Sequence, residues 1–536
     1  MTKKWLETRR SYLKKLKSQV ELMSGPEDLS ILSYSKSNKD LYKRVWDSSS
    51  EDDFYKKLST SSIVLCGDFH SSPSVKRFYV RFFEKLLQTE KRQIVVALEC
   101  FRYDQQENLD LWLGGRIVEE SFLERVNWQD TWGFDWQGYK ALILKLHQFG
   151  VKLVCINHSE EDFNKRDHKI AKSLVEVKNS FSQKITKDKQ SDTLDPLTFC
   201  LIGQHHLGPE NLFKNIKSFE PEVGLVTLHL DPEDLYFEVG HLTHLEEVLV
   251  LNHKDHFSFF SSPPWVHLQN HLMFLEEYLD EYEEERGFHP DLTRIRDYDL
   301  VVYDYIKLMC KDLNISVEDL KRVEVSSIDE YQVEGDDCPD DDELLEWMQP
   351  LLDSETSFYW PEQKEGIMVV SSLNHAASVA GKSIHAQMMG LKTLPWGEPD
   401  SFKVWSWLEA IGYFLSKFIN PRRSPVSSQN LAAFLKARLG AESSRKIMNF
   451  LVQGRVAELK GHKFKGSSDN LTWNELIYAS RLKGSLVGER LFELYLEGDF
   501  KAETIKNYMS LSVRDKEYFE PLYDLILERL NLNLKS

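Results

Sequence analysis

From about residue 60 the chain alternates unbroken apolar runs with segments whose apolar positions recur at helical spacing. The runs are "SSIVLCG", "QIVVALEC", "VKLVCIN", "LTFCLIG" and "EVGLVTLHL"; among them lie "FYVRFFEKLL", "ENLDLWL", "WQGYKALILKLHQFG" and "DHKIAKSLVEV". Strands buried on both faces read as continuous Val/Ile/Leu runs, and their alternation with helices marks βαβ units. The pattern therefore predicts an α/β fold over 60 to about 260, with a mainly parallel sheet flanked by helices. Upstream, residues 4 to 22 set apolar positions at helical spacing among many Lys and Arg, which predicts an amphipathic helix laid on the following domain. A polar stretch near Ser48 to Asp53 separates the two. After "SSPPWVHLQNHLMFLEEYLDEYEEER" the strand signal fades into helical segments, with one hairpin expected near "FYWPEQKEGIMVVSS". The acidic run "EGDDCPDDDELLE", Glu334 to Glu346, reads as a solvated linker leading into a helix. The expected organisation is an N-terminal helical extension over 1–58, an α/β domain over 59–290, a helical connector with acidic linker over 291–345, and a mostly α-helical carboxyl-terminal region over 346–536 to which no role is assigned.

A chain of 536 residues is too long for one ordinary core. Its 67 Lys+Arg against 85 Asp+Glu give a net charge of −18, which disfavours nonspecific binding to nucleic acid or anionic membrane. The beginning, "MTKKWLETRRSYLKKLKSQVELM", has no apolar core of secretory length, and no apolar run reaches membrane-spanning length, so a cytoplasmic protein without a membrane span is expected. Six cysteines, at 66, 100, 155, 200, 310 and 338, form no CxxC pair, and the first four fall at or just after apolar runs. They are expected as free thiols, buried in the manner of small hydrophobes.

Candidate chemistry gathers where strands end. The first strand closes in Cys66-Gly67-Asp68-Phe69-His70, and "QIVVALEC" delivers Glu99. "VKLVCIN" delivers Asn157 and His158, with Arg166-Asp167 opening a helix; "LTFCLIG" is followed by Gln204-His205-His206. In an open α/β sheet the carboxyl ends of parallel strands converge on one edge, the usual place of a ligand crevice. A carboxylate continuous with a buried strand is costly unless paired, hydrogen-bonded or metal-bound, which makes Glu99 the most informative residue. Two imidazoles and a carboxylate can hold a divalent metal with a position left open for water, and the same groups without metal can supply acid–base catalysis. Asp68 as a simple helix cap with His70 bonded to nearby backbone is the structural alternative.

The residues "GDFH", "ALECF", "LDLWLGGRIVEESFLE", "WGFDWQGYKALILKL" and "VKLVCIN", followed by "KRDHKIAKSL" and "LIGQHHLGPENL", resemble in order and spacing the ChaN-like haem-binding family. This family is a branch of the superfamily that also holds Tiki/TraB-type proteases and erythromycin esterases. The resemblance spans about 60 to 230. It implies an α/β fold and either haem or iron binding or metal-assisted hydrolysis, with His70, Glu99 and His206 at the positions of the superfamily's metal or catalytic residues. Asp68 stands where many members carry Glu, and a chain without the lipoprotein signal common among ChaN-like members is expected. Haem requires an axial ligand and an apolar slot. Asp68, Tyr103, Tyr139, His205 and His206 are the residues taken as cofactor-binding candidates, with Trp132 and Trp136 able to line the slot. The partner expected is haem or a small-molecule or peptide ligand, a homodimer being one assembly open to the chain. A noncatalytic interaction protein is the third reading.

Three further signals weigh less. His267 and His271, four apart on one helix face, have chelate spacing but lack the general-base Glu of a zincin helix. His375 and His385 are ten residues apart, about 15 Å along a straight helix, too far to share one metal. The small residues Ala376, Ala377, Ala380 and Gly381 between them suit close helix packing. Cys338-Pro339 has the form of a haem-responsive dipeptide, but its acidic surroundings would repel anionic propionates.

Overall fold

The computed structural model describes residues 3–24, 29–160, 162–187, 195–240, 249–285, 298–327, 342–370, 372–396, 401–425, 442–459, 471–514 and 516–532. The chain divides into two compact units, 1–290 and 291–536.

In the first unit eight strands form one sheet: β1 (Asp47–Ser49), β2 (Ile63–Asp68), β3 (Ile94–Arg102), β4 (Lys152–Asn157), β5 (Leu197–Gly203), β6 (Leu225–Leu230), β7 (Leu249–His253) and β8 (His256–Phe260). The order is β1-β7-β8-β6-β2-β5-β3-β4. All pairs from β8 through β4 are parallel, while β1 and β7 run antiparallel at one edge. Every residue of β2, β5 and β6 is buried, which accounts for their unbroken apolar runs. One face packs on the helices Pro73–Thr89 and Trp136–Gln148 through Phe78, Phe82, Phe83 and Leu142; the other covers Ile170, Leu174, Leu212 and Ile216.

The sheet is wider than the runs imply, because β1 and β7 close its antiparallel edge. The stretch read as a separator near Ser48 to Asp53 is instead an edge strand followed by the helix Glu51–Leu58, whose start Ser50 and Asp53 cap reciprocally. A three-residue edge strand facing solvent has too little apolar alternation to be seen in sequence. The amphipathic helix forms over Lys3–Ser24 and packs on the helix Pro264–Glu285. A second helix, Leu29–Tyr42, follows it; its Ser-rich segment "LSILSYSKSNKDLY" has weak helical propensity, and it is held by tertiary contacts, Asn38 Nδ2 donating to the carbonyls of Gln204 (2.9 Å) and His205 (3.1 Å).

The second unit is mostly helical. The expected hairpin forms between β10 (Phe358–Trp360) and β11 (Glu365–Met368), and β9 (Glu324–Ser327), inside the segment read as a helical connector, joins β11 in parallel. The helices Leu373–Met388 and Phe402–Ile419 approach closely: a Cβ on Gly381 would lie 2.8 Å from Leu415 Cβ and 2.9 Å from the Gly412 carbonyl. His375 bonds Ser357 Oγ at 2.7 Å, while His385 is buried with both ring nitrogens unbonded. Cys66, Cys100, Cys155, Cys200 and Cys310 are buried free thiols. Cys338, Pro339 and most of the acidic run lie outside the described residues. Among the described residues no helix is long and apolar enough to cross a membrane.

Candidate functional site

The register of the parallel strands sets the site. Asp68, the last residue of β2, pairs with Gly203, the last of β5, while β3 departs from regular pairing with β4 after Leu98. There Glu99, 3% exposed, accepts the Gly203 N–H at 2.6 Å. His70 and His206 follow β2 and β5 directly and close over Gly203, where a Cβ would lie 3.0 Å from His70 Nε2 and 3.5 Å from His206 Cδ2. A side chain here would press on His70, which would have to give by a few tenths of an ångström, while the contact with His206 would be an ordinary one.

Each imidazole is oriented by a carboxylate. His70 Nδ1 donates to Asp68 Oδ2 at 3.0 Å, and its Nε2 lies 3.7 Å from Glu99 Oε2. His206 Nδ1 donates to Asp167 Oδ1 at 2.5 Å, with Nε2 3.4 Å from Glu99 Oε1. Asp68 also accepts from Lys76 Nζ (2.8 Å) and the Tyr139 hydroxyl (2.8 Å). Tyr34 and Arg166 approach His206 at 3.4 Å each. His70 is the partly open member, its side chain 23% exposed; Trp132 and Phe134 flank it at ring separations of 4.5 and 5.2 Å.

Charge follows from this geometry. Burial opposes ionisation of Glu99, but His206, with His70 and Arg166, outweighs it and holds the carboxyl down at about 2. Burial likewise opposes a charged His206, yet Asp167 and Glu99 on its two sides raise it to about 9. Burial pushes Asp167 up, with His206 acting against it, and its Oδ2 has no hydrogen-bond partner. Asp68 is held well below the carboxylate range, because Lys76 and His70 outweigh its burial. Burial and Asp68 drive the Tyr139 phenol far up, so it acts as a neutral donor.

A depressed carboxyl contributes stability above its ordinary value of 4.5, lost as pH falls toward 2; a raised imidazole contributes below its ordinary 6.5, lost as pH rises through 9. Melting temperature measured against pH is therefore expected to be highest between about 4.5 and 6.5 and to decline on the alkaline side up to 9. Glu99→Gln should blunt both limbs. A wild-type profile that stays level from pH 6.5 to 9 contradicts a cationic His206.

Sequence-level candidates divide accordingly. His70, Glu99, His206, Asp68 and Tyr139 meet in one cluster. Tyr103 is exposed and faces His158 at 5.8 Å, and His205 is exposed, in contrast to the buried His206 beside it. His158 Nε2 bonds Ser173 Oγ. Trp132 lines the open side, whereas Trp136 is core, packed on Trp128 and Trp112. Lys76, Tyr34, Arg166 and Asp167 join the cluster without having been assigned a role; the Arg-Asp helix start was the one sequence signal for them.

The same donors bear on a metal. Two carboxylate-backed imidazoles turned toward one glutamate are the support that metal ligands use. Here, however, Arg166 Nη2 stands 3.4 Å from the Nε2 of an imidazole already held as a cation, and among the described residues no group of three or more His, Cys, Asp or Glu side chains has metal-holding geometry. The arrangement does not fit a divalent ion.

Residues 54–216, which contain every member of the cluster except Tyr34, match the family model described as "Haem-binding uptake, Tiki superfamily, ChaN". The resemblance to the ChaN-like family is borne out over this span. Among solved structures, the chain matches one titled "Cofacial heme binding to ChaN of Campylobacter jejuni", at 17% identity over 34% of this chain and 86% of that chain, with a TM-score of 0.25. No curated protein matches.

Proposed function

We propose that the strand-end face of residues 54–216, with the adjoining helix Pro264–Glu285, binds haem on its outer surface. The observation that carries this reading is the aromatic surface around His70, the partly open imidazole of the cluster: Trp132 and Phe134 lie beside it, and Phe274 stacks on Phe134 at 4.5 Å, all partly exposed. The family description points the same way. The space beside Asp68, His70, Glu99 and Tyr139 has room for about one water molecule, too little for a macrocycle. A flat apolar ring suits the outer aromatic surface instead. Bound haem would supply an iron centre; the chain would supply a dry aromatic support and the charged cluster behind it. In this reading Tyr139 supports Asp68, because its hydroxyl donates there and stays protonated.

Hemin titration followed by absorption is expected to give a saturable Soret change. Trp132→Ala with Phe134→Ala should weaken it about tenfold or more, the scale of two lost aromatic contacts. No saturable change at micromolar hemin rejects the reading.

A second reading rests on a different observation. Glu99 held as an anion beside His206 held as a cation is a base and an acid set apart by their surroundings, the arrangement of acid–base hydrolysis. Here His70, oriented by Asp68, is the group a substrate reaches first.

A further inference from the structure

We propose that His271 supplies the axial imidazole to haem iron on this face, an assignment that rests on the haem reading and lies outside the family-matched span. His271 follows His267 by one helical turn and shares its side of the helix Pro264–Glu285. Their surroundings assign them different work. His267 is locked: Nε2 bonds Asp231 Oδ2 at 2.8 Å, Nδ1 bonds Ser72 Oγ at 2.9 Å, and its ring stacks on Phe69 at 4.2 Å. Those contacts clamp the helix to the loop that carries His70. One turn on, His271 is only partly buried, no hydrogen bond or ion pair among the described residues engages either ring nitrogen, and its ring stacks on Phe274 at 6.0 Å. Phe274 joins it to Phe134, and Phe134 to His70.

The other candidates are engaged elsewhere. His70 turns Nδ1 to Asp68 and Nε2 toward Glu99, beneath the surface. Tyr139 donates to Asp68, Tyr103 faces His158, and the Cys100 thiol is buried and pushed up by burial. His271 thus joins an imidazole that no hydrogen bond or ion pair among the described residues engages to the aromatic surface that would receive the ring, and its ligation would displace water from the iron.

The test uses the full chain with hemin as probe. Wild type is expected to show a Soret band on titration and, after reduction, the iron–histidine stretching band in resonance Raman spectra. His271→Ala should lose that stretching band and bind hemin about tenfold or more weakly; His271→Gly should regain the wild-type Soret position on addition of imidazole. His271→Gln, with unchanged circular dichroism and melting temperature, separates ligand loss from misfolding. Wild type that binds hemin while His271→Ala and His271→Gln keep its spectrum and affinity overturns the ligand assignment alone. Wild type that fails to bind hemin overturns the haem reading and the assignment together.

Discussion

Glu99→Gln is expected to lower folding stability by about 3 kcal/mol near neutral pH, the scale on which removing one partner of a buried ion pair acts. The amide is nearly isosteric and can still accept the Gly203 N–H, so the loss comes from charge. His206 is 3% exposed and lies between Asp167 and Glu99. Without Glu99 its imidazolium keeps Asp167 as its remaining anion and Arg166 as a repelling neighbour, and its pKa should fall from about 9 toward the ordinary value. Urea unfolding of both proteins at pH 7, with NMR titration of the histidines, checks both expectations. A loss under about 1 kcal/mol would reduce Glu99 to an ordinary hydrogen-bond acceptor. The same variant separates the two functional readings, because an outer haem surface should keep its hemin affinity whereas acid–base hydrolysis should fail without the carboxylate.

Lys76→Met should cost about 3–5 kcal/mol. The ammonium, 4% exposed, donates to Asp68 Oδ1 at 2.8 Å, to the carbonyls of Phe69 (3.0 Å) and His70 (2.8 Å), and sits 4.3 Å above the Tyr139 ring. Methionine fills the space but leaves Asp68 as a buried anion with only His70 and Tyr139, and two carbonyls without their donor. Asp68→Asn combined with Lys76→Met should cost less than the sum of the single changes, because the double variant removes the stranded charge. Chemical denaturation of the four proteins measures that coupling. Additive losses would mean that Lys76 acts through packing and the carbonyls rather than through Asp68.

Much of this protein is determined locally. A parallel strand buried on both faces must be apolar along its length, so β2 to β6 are legible as runs, and a polar residue at the end of such a run is legible as an exception. Asp68, Glu99 and His206 were found that way, and strand direction alone places their backbones at one edge. Lys76 shows the limit: it occupies an inward position of a helix whose neighbours Val75, Phe78 and Tyr79 are core, and a lysine there reads as a surface residue until Asp68 is seen opposite. Tyr34 reaches His206 from 172 positions earlier, on a helix that local propensity scarcely supports. His267 and His271 are equivalent by spacing, yet one is fixed by Asp231 and Ser72 and the other faces an aromatic surface. Periodicity records which face of an element is buried, because burial acts on every turn or alternate residue. It does not record what that face meets, because partners distant in sequence are chosen by sheet register and helix docking, which only the tertiary structure decides.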